Sequence, residues 1–157
     1  MAVIVCCMAS ATAHGTPIQV DPNAARLTKS PPRAVKPLPT FESPREAQSQ
    51  ALEFGKKGLR GRAIEILNAA KKRYPKDAKI RWMLGVLYRD TGRISKAERS
   101  FRKATTLDKS DAIAWSDLAA VLDRSGAQEE ALRAADQALA LSPRDAGMLA
   151  DRAVIRF

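Results

Sequence analysis

The sequence predicts an all-α protein, a solenoid of stacked antiparallel helix pairs. Three observations predict it. The apolar residues are dominated by Ala and Leu, aromatic residues make up only 5%, and β-branched runs are few, which favours helices packed through small side chains over a sheet. Small and apolar residues recur with a period of 34 residues across three consecutive units, 44–77, 78–111 and 112–145. Each unit is divided near its middle by a glycine, Gly58, Gly92 and Gly126, which permits the left-handed cap that a tight helix–helix turn needs.

The elements follow in chain order. The first unit should fold as helices near 45–57 and 61–74, with Ala51, Phe54, Ala63, Leu67 and Ala70 inward and Pro75 as the stop. The second should fold as helices near 79–91 and 95–107. Its inward residues are Leu84, Gly85, Tyr88, Ala97, Phe101 and Ala104. The third should fold as helices near 112–125 and 128–141, with Leu118, Ala119, Leu122, Ala131, Ala135 and Ala138 inward and Pro143 as the stop. Small residues at the eighth, twentieth and twenty-seventh positions let two helices approach closely. Larger residues at the eleventh and twenty-fourth fill the space beside them. A seventh helix is expected over roughly 145–156, so residues 146–157 read as a partial fourth repeat or a capping helix.

These residues resemble the tetratricopeptide repeat family. The resemblance covers 44–145 in one register without insertions. It has departures. Of the fourth positions only Trp115 carries the expected tryptophan, with Ala47 and Arg81 at the other two. Gln50 replaces the usual leucine, and Lys109 replaces the terminal proline of the second unit. The resemblance implies a right-handed superhelix whose first helices line a concave groove for a protein or peptide. Its groove positions are Arg45, Gln48, Ser49, Leu52 and Lys56 in the first unit. The second unit supplies Lys79, Trp82, Met83, Val86, Arg89 and Asp90. The third supplies Ile113, Ser116, Asp117, Ala120, Asp123 and Arg124. Some family members clamp a C-terminal carboxylate with Lys, Asn and Arg at these positions. Leu52, Met83, Ile113 and Asp117 break that pattern, so chaperone tails are not expected to bind in that mode. Trp82 is read as a groove-facing anchor flanked by Met83 and Arg89, the alternative being that it leans into the core beside Arg81.

Ahead of the repeats, residues 1–13 are read as a signal peptide. An apolar run from Ala2 to Ala9 is followed by Ala11-Thr12-Ala13, although no Lys or Arg precedes Arg26. This predicts export, to a bacterial periplasm, and a cytoplasmic protein if the segment is not a signal. Residues 14–43 hold Pro17, Pro22, Pro31, Pro32, Pro37 and Pro39 and read as a disordered linker. Cys6 and Cys7 stand together at the N-terminus, so the repeats carry no disulfide and no thiolate metal site.

The formal net charge of +10 favours acidic partners. It is uneven, at +5, +5 and −3 over the three units. The protein is expected to be a scaffold that binds a peptide or partner segment, acidic by this charge, and not an enzyme. No phosphate loop or zinc motif is present, and His14 is the only histidine, so no catalytic residues, metal or cofactor are assigned. No nucleic-acid motif accompanies the charge, and no apolar stretch is long enough to span a membrane. Two alternatives stand beside the scaffold: an assembly subunit that self-associates through the apolar segment 146–157, or a fragment of a larger enzyme bearing such repeats.

Overall fold

The computed structural model describes residues 40–155. The signal peptide read at 1–13 and nearly all of the linker read at 14–43 lie outside the described residues, as do the last two residues of the 146–157 segment. The described chain is seven helices: α1 Pro44–Lys56, α2 Arg60–Arg73, α3 Ala78–Asp90, α4 Ile94–Leu107, α5 Ala112–Ser125, α6 Gln128–Leu141 and α7 Ala146–Val154. Consecutive helices pack as pairs, α1 with α2, α3 with α4 and α5 with α6. Each pair stacks on the next, and α7 stacks on α5 and α6.

The starts of the odd-numbered helices share one device. Ser43, Asp77, Asp111 and Asp145, themselves 34 residues apart, are their N-caps. Each side chain accepts a backbone N–H of the first turn; for Asp77 the bond from Ile80 N is 2.8 Å. Such a cap contributes about 1 kcal/mol. The caps put the helix starts one residue earlier than the sequence periodicity suggests for α1 and α3. At the far ends, Gly58, Gly92 and Gly126 take φ of 74°, 73° and 85°. That left-handed turn carries the chain into α2, α4 and α6, none of which has a side-chain N-cap bond. The second unit lacks a terminal proline. In its place Asp108 Oδ1 accepts from Ser110 N at 3.0 Å and from Ser110 Oγ at 2.6 Å, closing a turn after α4. These bonds hold the Asp108 carboxyl below its ordinary range, the Ser110 hydroxyl contributing most.

The core runs continuously through the stack. Ala47, Ala51, Ala63, Ala70, Ala97, Ala104, Ala119, Ala131 and Ala138 are buried and let the helices approach. Phe101, Ile66, Leu67, Ile80, Leu84, Val121 and Leu122 fill the space between, each worth about 1.5–3 kcal/mol by removal from water. Phe41, at the end of the segment assigned to the linker, belongs to this core: it is 8% exposed and its ring centroid lies 6.4 Å from that of Tyr74. Arg73 donates to Phe41 O and Tyr74 Oη donates to Glu42 O, pinning the entry strand of chain to the end of α2. At the other end, Met148 and Ile155 are buried, Arg152 Nε donates to Asp136 Oδ1 at 2.8 Å, and Leu149 and Val154 stay 49% and 70% exposed. The helix expected to reach 156 ends at Val154. Leu149, at the position equivalent to Trp115, lies exposed on α7.

Candidate functional site

Helices α1 and α3 lie side by side and leave a groove of about 840 Å³ between their outward faces. Its walls follow from helix periodicity. Arg45, Gln48, Leu52 and Lys56 fall three or four residues apart and share one face of α1; Lys79, Trp82, Met83 and Val86 share one face of α3. Ser49 also lines the groove. Leu52 is 54% exposed, and with Met83 and Val86 it makes the floor apolar. The cations Arg45, Lys56 and Lys79 lie among these apolar groups, and among the described residues none of the three is in an ion pair with a carboxylate. No carboxylate lines the groove. Gln48 Nε2 is turned to Asp77, 3.3 Å from each carboxylate oxygen, which ties α1 to the cap of α3.

Trp82 is held at its edge and over its face. Its indole Nε1 donates to Asp117 Oδ2 at 2.7 Å, and the Lys79 ammonium sits 3.9 Å from the ring centroid. The other oxygen of Asp117 accepts from Arg89, which also lies 3.5 Å from Asp90. Trp82 packs on the core with one side and lines the groove with the other. The remaining residues expected in the groove are elsewhere. Arg89 and Asp117 form its supporting network without lining it. Ser116 Oγ donates to Asp151 Oδ2 of α7 at 2.9 Å, and Asp123 lies half-buried near the end of α5, outside the groove. Sequence reasoning missed Ala51, Gly55 and Leu87, which also line the groove. The small size of Gly55 on the α1 face, four residues after Ala51, was the available signal. It also missed the Trp82–Asp117 bond, because nothing local marks a contact 35 residues apart.

Among the described residues no group of three or more His, Cys, Asp and Glu is placed to hold a metal ion. No described helix is long and apolar enough to cross a membrane.

The tetratricopeptide repeat family model matches residues 49–108 and 86–146. The chain belongs to this family. Its helix pairs form the family's right-handed α-solenoid, as the resemblance implied. Among solved structures, the second tetratricopeptide repeat domain of human RPAP3, determined in complex with an HSP70 peptide, SGPTIEEVD, is 21% identical with a TM-score of 0.66. The likeness covers 69% of this chain and 91% of that one. The first such domain of Spaghetti (RPAP3), bound to an HSP90 peptide, SRMEEVD, is 19% identical with a TM-score of 0.67, over 69% and 86% of the two chains. MamA is 19% identical with a TM-score of 0.67, over 71% of this chain and 65% of that one. No curated protein matches the sequence.

Proposed function

We propose that this protein is a protein-interaction scaffold that holds an extended, acidic segment of a partner in the α1–α3 groove. The observation that carries this is the composition of the groove: an apolar floor, no lining carboxylate, and three cations without a carboxylate partner among the described residues. Apolar side chains of the partner pack on Leu52, Met83 and Val86, with the Trp82 ring as the anchor, and its carboxylates meet Arg45, Lys56 and Lys79. Two structural relatives hold peptides whose sequences contain adjacent glutamates, which supports an acidic ligand. The clamp residues that read a terminal carboxylate are replaced here, so an internal segment fits better than a free tail. The apolar run before Ala11-Thr12-Ala13 supports placing this activity outside the cytoplasm, in a bacterial envelope.

The test is a peptide array read with the full chain, followed by titration of the best binders. Acidic peptides with spaced apolar residues should bind, and the double substitution Lys56→Glu, Lys79→Glu should weaken them at least ten-fold. Equal binding of charge-reversed peptides, or no effect of the double substitution, would reject the reading.

A second reading rests on Leu149 and Val154, which leave an apolar face on α7: the chain is an assembly subunit that self-associates through 146–157. Sedimentation over a concentration series decides it, since a constant monomer mass removes this reading.

A further inference from the structure

On the side of α3 away from the groove, a second cleft of about 360 Å³ opens between α2 and α4. Arg81 and Tyr88, seven residues apart and so on one stripe of α3, line it together with Lys71 of α2 and Lys96, Arg99 and Ser100 of α4. Four of these six are cations, and none is a carboxylate.

Among the described residues nothing neutralises these cations. Ion pairs are plentiful elsewhere, and Arg62, Arg89, Arg102, Arg133 and Arg152 all have carboxylate partners. Lys71, Arg81, Lys96 and Arg99 have neutral contacts or none. Lys71 Nζ donates to Asn68 Oδ1 at 2.9 Å, Arg99 Nε donates to Ser95 O at 3.3 Å, and Lys96 lies 5.9 Å from the Tyr88 ring centroid. Arg81 Nε is buried with no hydrogen-bond partner among the described residues. A buried guanidinium nitrogen without an acceptor is unfavourable, and like charges gathered in one cleft repel. Arg81 also occupies the position where the third unit has Trp115, so a packing residue has been exchanged for an unpaired charge. The Tyr88 hydroxyl accepts from Asn68 Nδ2 at 3.1 Å, which leaves its own proton to donate.

We propose that this cleft binds a small phosphate-bearing anion, held by Arg81, Arg99, Lys71 and Lys96. A single carboxylate would neutralise one of four charges. A phosphate group carries up to two charges and three acceptor oxygens, which suits donors arriving from three helices. Planar guanidinium groups match phosphate oxygens in pairs, and clustered cations concentrate an anion at the surface. The cleft lies on the far side of α3 from the peptide groove, so the inference stands whether or not the groove binds a partner.

Calorimetric titration of the full chain at constant ionic strength tests it, with pyrophosphate, glycerol 3-phosphate and acetate as probes. Either phosphate compound should bind with acetate showing no saturation; the tighter of the two tells a free ion from a phosphate on an organic carrier. Lys96→Gln and Arg99→Gln, both at exposed positions, should each weaken binding about ten-fold. Lys103→Gln, the same change on an exposed residue of α4 outside the cleft, should leave it unchanged. Arg81→Met should abolish binding while the circular dichroism melt stays at or above that of the parent; should that variant not fold, the two exposed substitutions decide alone. No saturable binding of either phosphate compound, or equal weakening by Lys103→Gln, would overturn the proposal.

Discussion

Substituting Gly85 by alanine should destabilise the protein although alanine is the better helix former. A Cβ placed on Gly85 would lie 2.5 Å from Phe101 Cε1, 2.6 Å from Cδ1 and 2.8 Å from Cζ. Carbon atoms prefer about 3.5–4.0 Å, so the ring must retreat by about 1 Å. Phe101 is fully buried, and a close-packed interior resists such a shift. Overpacking of this kind costs about 3 kcal/mol at the upper end of its range. Replacing glycine within a helix returns about 1 kcal/mol, so the net loss is about 2 kcal/mol. Urea unfolding followed by circular dichroism measures it, and the melting temperature should fall by about 8 °C for a domain of this size. Gly55→Ala is the internal control: nothing lies within 4 Å of that added Cβ, and stability should rise by up to about 1 kcal/mol. In a Phe101→Leu background the penalty of Gly85→Ala should shrink, giving a coupling energy of about 1 kcal/mol or more. A Gly85→Ala protein as stable as the parent, or a penalty unchanged by Phe101→Leu, would refute the packing argument.

Other expected outcomes are as direct. Asp117→Asn removes the charge that joins Arg89 to Trp82 and should cost about 1–3 kcal/mol in urea unfolding, with a shift in tryptophan emission. Gly126→Ala forces a side chain to φ of 85° and should cost about 1–2 kcal/mol, measured the same way. The Arg102 guanidinium, 2.6 Å from Glu130 and also paired with Glu98, holds the Glu130 carboxyl below its ordinary range. A carboxyl lowered in the folded state contributes fully above its ordinary pKa and loses that contribution as pH falls through the lowered value. Melting temperature plotted below pH 4.5 should therefore decline less steeply in Glu130→Gln than in the parent.

The repeat register was readable because it rests on local rules: small residues where helices touch and glycine where the chain turns. The N-caps obey a local rule as well, and Asp77, Asp111 and Asp145 carry it in plain sight at the 34-residue spacing. What local rules could not show is compensation between helices. Ala51 faces a unit with Leu67 at the twenty-fourth position, Ala119 one with Ala135, and Gly85 one with Phe101. Glycine stands only where the facing side chain is largest, and the contact is visible only in three dimensions. The groove was legible on α1 and α3, where the family's positions and the helical face agree. It was not legible on α5, where Ser116 turns to Asp151 of α7 and Asp117 turns to α3. Phe41 was hidden by the prolines before it in the sequence, since a Pro-rich stretch gives no sign that a side chain at its end packs against Tyr74.

The bonds on Trp82 also bear on the thermodynamics of recognition. A large side chain that is loose in the free protein must give up rotational freedom when a ligand arrives, at a cost of roughly 0.5–1.5 kcal/mol for each immobilised side chain. Here Asp117 grips the indole edge and Lys79 covers its face before any ligand is present. Both contacts restrict Trp82 in the folded protein, so a partner held in the proposed groove would meet a pre-ordered ring. Releasing the indole edge with Asp117→Ala would leave the residues that line the proposed groove unchanged, and the loss of affinity for an occupant would then appear in the entropy of binding, not the enthalpy.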